Sequence, residues 1–369
     1  MSMTEASFVL DRSVGITELE EQARRVLDPA VYDYCAGGAG DEQTLVENVA
    51  AFRHFRMAPR AFVDVDSLDT GATVLGHKIT APILVAPVSL QGMVDQEGEV
   101  ASARAAAGFG TVFGLSMNAT RSPEDVAAAT PSGCNWAQIY VLRDWSVTES
   151  VMRRCEGAGF RAFIVTVDVP RVGRRERDIR NNFSRLQTGD PDIQRDPAFG
   201  ALLDQHLNIE AAYDAVFPNP AATWTDLERV RALTELPIVV KGILRAADAR
   251  RAVDMGAAAI VVSNHGGRQF ERAAATIDVL AEIVAAVDDE AEVYLDSGVR
   301  RGTDVLTALA VGADAVLIGR AMLWGLAAAG EAGVTHALEI LREQLAAGMT
   351  AVGAATIADI DASLLVETR

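Results

Sequence analysis

From about Thr80 onward the chain repeats one pattern: a short apolar run of strand length, then a stretch whose apolar residues recur at three- and four-residue spacing. The runs are Ile83 to Ala86, Thr111 to Leu115, Trp136 to Ile139, Phe163 to Val167, Ile238 to Val240, Ala259 to Val262, Glu292 to Leu295 and Ala315 to Ile318. Between them, Val147 to Ala158, Ala246 to Met255, Thr276 to Val287 and Thr303 to Val311 carry helical spacing. Strands buried on both faces read as near-continuous Val, Ile and Leu, and eight such strand–helix units close into a (β/α)8 TIM barrel in roughly 250 residues. A Rossmann sheet is the rival, but no G-x-G-x-x-G opens a helix after the first strand.

One barrel accounts for the 369 residues as a single domain. Residues 1–80 form an N-terminal extension, 81–335 the barrel, and 336–369 a C-terminal helical segment. Thr17 is expected to cap a helix through Leu27, and a second helix is expected near Asp41 to Phe52. The extension should bring Tyr34 to the face where the strands end. One gap is out of proportion: residues 176–223, rich in Asp, Pro, Asn and Gln, predict a lid whose order depends on substrate. Phe199, Leu203, His206 and Tyr213 are its candidate specificity residues.

Barrel active sites lie at the carboxyl ends of the strands. Here those ends read Pro87-Val88-Ser89, Ser116-Met117-Asn118, Gln138-Ile139-Tyr140, Thr166-Val167-Asp168, Lys241-Gly242, Ser263-Asn264-His265, Asp296 to Arg300 and Gly319-Arg320. The last two ends suit a phosphate, since glycines let backbone N–H groups approach anionic oxygens and a helix N-terminus adds positive potential. Gly298, Arg300, Gly319 and Arg320 supply these parts, although tight turns and surface ion pairs would use the same residues. Ser263 to Gln269 places a histidine and an arginine at a buried strand's end, a pattern shared by catalytic edges and by hydrogen-bonded loops.

As a set these stretches resemble the FMN-dependent α-hydroxy-acid oxidase and dehydrogenase family, from Thr17 to about Ile360. The matching segments include Val31 to Tyr34, Ala86-Pro87, Gln138 to Tyr140, Thr166 to Arg175, Val240 to Gly242, Ser263 to Gln269, Asp296 to Arg301 and Gly319-Arg320. The resemblance implies that His265 is the base at the substrate's 2-hydroxy centre and that Asp168 stabilises the imidazolium formed. Lys241 would lie against the flavin edge that gains negative charge. Arg175 and Arg268 would hold the substrate carboxylate, a task that suits planar, permanently charged guanidinium. Tyr34 and Tyr140 would hydrogen-bond the substrate. For FMN it implies Pro87, Val88, Ser89, Ser116, Gln138, Thr166, Lys241 and Ser263 around the ring, Asp296 on the ribityl hydroxyls, and Gly298, Arg300, Gly319 and Arg320 on the phosphate. On residue type alone, Asp168 equally suits a helix cap, Lys241 a structural ion pair, and the two tyrosines core or interface positions.

The departures fall where substrate is chosen. Short-chain oxidases of the family commonly carry a bulky aromatic at the position of Asn118, a leucine at Val172, and small residues at Ser89 and Ser297. A substrate larger than glycolate follows as the expectation, with an aryl or functionalised side chain near Asn118, oxidised from the (S)-2-hydroxy acid to the 2-oxo acid with O2 as acceptor. Two other readings stay open: a flavin-binding barrel without turnover, and the same chemistry on a specialised biosynthetic intermediate. A dehydrogenase using another acceptor is not separated from an oxidase.

With 33 basic and 51 acidic residues the chain carries a formal charge of −18, which disfavours nucleic acid and anionic membrane surfaces. No run reaches the roughly 18 apolar residues of a spanning helix, and Met1 to Gly15 lacks the order of a secretion signal. The expectation is a cytoplasmic enzyme. Cys35, Cys134 and Cys155 are too scattered for a disulfide framework, and the histidines form no metal-binding spacing. A homotetramer or homo-octamer is implied by the resemblance alone.

Overall fold

The structure is a computed structural model that describes Leu10 and residues 12–206 and 208–366. The expectation about a secretion signal falls largely on residues outside that range, as does the end of the C-terminal segment.

Among the described residues the elements ahead of the barrel include the α-helices α1 (Ile16–Val26), α2 (Pro29–Ala36) and α3 (Gln43–Ala50). Helix α1 starts one residue before Thr17, on Gly15, so Thr17 sits in the first turn and does not cap it. Helix α2 was not anticipated. Asp28 starts it by accepting from Ala30 N–H at 2.8 Å, and Pro29 sets the first helical φ. Its end carries Tyr34 and Cys35.

A hairpin follows, β1 (Ala72–Val74) with β2 (His77–Ile79). Its two turn residues, Leu75 and Gly76, both have positive φ, at 43° and 78°, the conformation that matches the twist of a tight hairpin. Val74 and Ile79 are buried with the side chains that fill the barrel interior, Leu84, Trp136, Ile164, Val239, Val261, Tyr294 and Leu317. The hairpin therefore plugs the end where the strands begin, and chemistry is left the other end. A short Gly-containing segment ahead of the first long apolar run was the available signal.

The barrel closes from β3 (Ile83–Val85), β4 (Val112–Leu115), β5 (Cys134–Ile139), β6 (Ala162–Thr166), β7 (Ile238–Ile243), β8 (Ala259–Val262), β9 (Glu292–Leu295) and β10 (Ala315–Ile318), all parallel, with β10 against β3. All eight expected runs are strands. Alternation sends one set of side chains inward, while Ile83, Val85, Phe113, Phe163, Val240 and Ile260 pack against the surrounding helices. Helices α4 (Glu99–Phe109), α5 (Pro123–Ala129) and α6 (Trp145–Gly157) follow β3, β4 and β5.

The segment after β6 is not an open loop. It folds into α7 (Glu176–Arg180), α8 (Arg185–Gly189), α9 (Pro197–Leu203) and α10 (Ile209–Val216) before α11 (Trp224–Arg231) leads to β7. Its acidic residues are fastened to the barrel by Arg154 of α6, which bonds Asp192 at 3.0 Å and Asp196 at 3.4 Å, while also holding Glu124 at 2.9 Å. Asp196 is fully buried, accepts from Ser150 and caps α9. The wall is completed by α12 (Ala246–Asp254), α13 (Thr276–Val287), α14 (Gly302–Val311) and α15 (Arg320–Val352), the last broken at Ala329 and Gly330 and packed against α1. Removing the cation paired with buried Asp196, in Arg154→Leu, is expected to cost about 3 kcal/mol. A lower urea midpoint, with proteolysis beginning inside residues 176–223, checks this.

Candidate active site

The strand ends deliver their polar residues to one cavity of about 960 Å³, counting its open mouth. Register decides this: Thr166 stands beside Lys241, and Lys241 beside Val261. At Gly242 the β7–β8 register shifts. Gly242 has φ 108°, and a Cβ there would fall 2.6 Å from Asp168 Cβ. A side chain at this position would push the carboxylate of Asp168 out of place.

Lys241 is the floor of the site. Its Nζ donates to Ser263 Oγ at 2.8 Å and pairs with Asp296 Oδ2 at 2.8 Å. Burial works against the ammonium, but the carboxylates of Asp296 and Asp168 outweigh it and hold its pKa above the ordinary lysine value. Ser297 Oγ donates to Asp296 Oδ1 at 2.7 Å and accepts from Gly266 N–H at 2.9 Å. Asp296 thus has one bond at each oxygen and retains acceptor capacity toward the cavity.

His265 sits on the rim with φ 60°, an uncommon backbone for a non-glycine residue. Its Nδ1 lies 3.0 Å from Asp168 Oδ1. Burial lowers its pKa, the Asp168 carboxylate opposes this, and Lys241 and Arg175 reinforce it. Burial would raise Asp168, yet its interaction with His265 and the Lys241 ammonium outweigh this and its pKa is lowered. The pair therefore rests as neutral imidazole beside carboxylate. The loop under it is locked by a reciprocal amide pair, Asn48 Nδ2 to Asn264 Oδ1 at 2.9 Å and Asn264 Nδ2 to Asn48 Oδ1 at 2.6 Å. Sequence reasoning missed Asn48, because its partner lies 216 positions away.

Opposite stands Tyr34, with its hydroxyl 3.4 Å from Ser89 Oγ and the guanidiniums of Arg268 and Arg175 at 5.0 and 5.7 Å from its ring centroid. Arg175 pairs with Asp178 at 3.7 Å. Arg268 Nη1 donates to the carbonyls of Tyr34 and Gly37, while Arg320 donates to those of Cys35, Gly37 and Gly266. The carbonyl end of α2 thus holds two arginines. Among the described residues, Arg268, Arg300 and Arg320 form no ion pair within 4.0 Å. Burial, with Arg268 and Arg300 nearby, depresses Arg320 well below its ordinary pKa. Three converging cations beside the N-terminus of α15 leave an electrostatic demand that a phosphate meets.

The other end of the cavity makes a complementary demand. Gln138 Oε1 accepts from Ser116 Oγ at 3.2 Å and Met117 N–H at 3.1 Å. Its buried Nε2 has no partner among the described residues. An amide oriented in this way presents N–H donors to a ring that carries acceptors. Pro87, Val88, Ser89, Thr166, Gly298 and Gly319 line the space between. The residues present therefore fit FMN: the arginines could hold its phosphate, and Gln138 and Lys241 could serve its ring.

The family model for FMN-dependent dehydrogenases matches residues 23–367. This chain belongs to that family. An L-lactate oxidase from Nostoc sp. is 45% identical, covering 95% of this chain and 98% of the relative. Human 2-hydroxyacid oxidase 1 is 43% identical, covering 97% of each chain. The crystal structure of a mandelate oxidase superposes with TM-score 0.86 at 42% identity, covering 96% of this chain and 98% of that one. The cofactor is FMN, and the chain is an oxidoreductase of the 2-hydroxy-acid oxidase type.

Four of the expected site residues lie outside the cavity lining: Asp168, which meets it through His265, and the three that follow. Ser263 lies behind Lys241, and Arg175 stands against Tyr34 outside the cavity lining. Asn118 does not line the cavity: it is buried, and its side-chain oxygen accepts from Tyr213 at 2.9 Å. Of the insertion residues proposed for specificity, Phe199 and Tyr213 are packed in the core, Leu203 is half-buried and His206 is exposed. The insertion instead offers Phe183, whose ring lies 5.1 Å from that of Tyr34. No local pattern marks Phe183, since only the folded insertion creates the contact. Cys35 lines the cavity as well as being buried, and burial raises its thiol pKa to about 11. All three cysteines are free. Among the described residues no helix is long and apolar enough to cross a membrane.

Gln138→Met keeps the volume and removes the donors. It should weaken FMN binding about tenfold in a flavin-fluorescence titration, with the structure otherwise intact by circular dichroism.

Proposed function

We propose that this protein oxidises an (S)-2-hydroxy acid larger than glycolate to its 2-oxo acid, with O2 as the acceptor. The observation that carries the reaction is the His265–Asp168 pair on a cavity that Tyr34 also lines, with Arg268 and Arg175 over the tyrosine ring. A base held neutral and the guanidinium of Arg268 line one cavity, and Arg175 stands against the same tyrosine ring. Bound FMN supplies the two-electron acceptor.

In this reading Arg268 and Arg175 hold the substrate carboxylate, and Tyr34 and Tyr140 orient its oxygens. His265 takes the proton from the 2-hydroxy centre, and Asp168 stabilises the imidazolium that results. Lys241 keeps a fixed positive charge beside the cofactor's place, and fixed charge needs no reorganisation during the reaction. Ser116, Gln138, Thr166 and Ser263 serve the ring's surroundings, Asp296 the ribityl chain, and Gly298, Arg300, Gly319 and Arg320 the phosphate.

The preference for a larger substrate is supported by the cavity's composition. Tyr34 and Tyr140 are the aromatic residues among its described lining, and the end of β4 contributes none. The mandelate oxidase likeness and the L-lactate oxidase likeness both agree with a substituent beyond hydrogen. Anaerobic mixing of the FMN-loaded protein with mandelate, lactate and glycolate tests it. The oxidised flavin band should bleach fastest with one of the first two, and air should restore it with release of H2O2. A tenfold preference for glycolate would overturn the substrate reading, and a reduced flavin stable in air would overturn O2.

The pKa directions give a further expectation. Neutral His265 is the working form, so kcat/KM should rise with pH on an acid limb centred below the ordinary imidazole value of about 6.5. Asp168→Asn removes the carboxylate whose charge and hydrogen bond raise the His265 pKa. That limb should move to still lower pH while kcat falls about a hundredfold or more, as pH-rate profiles of the two proteins would show.

A further inference from the structure

One line of contacts runs from the insertion to the FMN cavity through buried residues. Tyr213 of α10 is 2% exposed, and its hydroxyl donates to Asn118 Oδ1 at 2.9 Å. The backbone N–H of Asn118 donates to Ser116 Oγ at 3.2 Å, and that hydroxyl donates to Gln138 Oε1 at 3.2 Å. Each link fixes the group that follows it, and the last is the amide whose Nε2 is directed at the cofactor's place. A second branch is aromatic. Tyr213 meets Phe217 edge-on at 5.3 Å, and Phe217 lies 4.7 Å from the ring of Tyr140 in the cavity wall. Phe199 supports Tyr213 from behind at 6.4 Å.

We propose that the Tyr213–Asn118 hydrogen bond is a latch that seats α10 on the mouth of the barrel and positions Gln138 and Tyr140. The chemistry of position 118 suits the task. An asparagine oxygen accepts a bond in a dry site without adding charge there. Seating of the insertion and binding of FMN are then coupled, and coupling is reciprocal: the latch tightens FMN, and FMN tightens the latch. Asn118 and Tyr213 are positioning residues, and they act on specificity through Tyr140. Only this last clause rests on the proposed substrate reading.

Tyr213→Phe tests the proposal by removing one oxygen while the ring stays packed, and Asn118→Leu removes the acceptor. Proteolysis within residues 176–223 is followed by mass spectrometry with and without FMN, alongside FMN affinity by fluorescence and kcat and KM for two acids. In the wild type, FMN should slow cleavage. Either variant should be cut about fivefold faster, bind FMN more weakly and lose most of the protection that FMN gives, and the double variant should add nothing further. KM should rise more than kcat falls. Cleavage and FMN affinity within twofold of wild type would overturn the proposal. So would a general loss of stability that leaves the FMN protection intact, since that is the mark of a merely structural contact. If the wild type oxidises no 2-hydroxy acid, the substrate reading fails while the cleavage and affinity measurements still decide the latch.

Discussion

A buried ammonium between two carboxylates organises the catalytic end of this barrel. Lys241 on β7 reaches Ser263 at the end of β8 and Asp296 at the end of β9, with Asp168 at the end of β6 within its field. Away from water such a charge is tolerated only while its partners hold their places. Four strand ends are thereby constrained by one side chain. The consequences reach outward: Asp168 stays ionised, His265 beside it stays neutral, and Ser297 fixes the far oxygen of Asp296.

A second electrostatic arrangement stands at the same end of the barrel. Arg268 and Arg320 donate to carbonyls at and just beyond the end of α2, where helical dipoles present partial negative charge. That geometry explains why a short extension too small to stand alone is part of the site: it brings Tyr34, orients two arginines and lines the cavity with Cys35. The net charge of −18 makes these guanidiniums, which have no carboxylate partner among the described residues, more telling, because an acidic surface would otherwise repel an anionic cofactor and substrate.

Much of this was legible before folding, and the reasons are specific. The runs from Ile83 to Ile318 are strands because their unbroken apolar character admits burial on both faces, and their polar ends mark where burial stops. Asn118 illustrates the limit. Its neighbours in sequence place it at a strand end beside a substrate, yet its side chain accepts from Tyr213, 95 positions away, and leaves the cavity lining. The insertion shows the same thing at larger scale. Its Asp-, Pro-, Asn- and Gln-rich composition predicts a lid, and what it does not reveal is that Arg154 pairs with Asp192 and Asp196 beneath a set of short helices.

By itself the sequence determined the barrel, the family, the cofactor and the residue types available at each strand end, because periodicity and strand-end chemistry are local properties. Tertiary structure alone decided which of those residues face one another. The pairing of Asn48 with Asn264, the placing of Phe183 on Tyr34, the withdrawal of Asn118 and the plugging of the barrel by the Leu75–Gly76 hairpin all join segments far apart in the chain. Contacts of that kind depend on the closure of the whole barrel, and no window of neighbouring residues contains them.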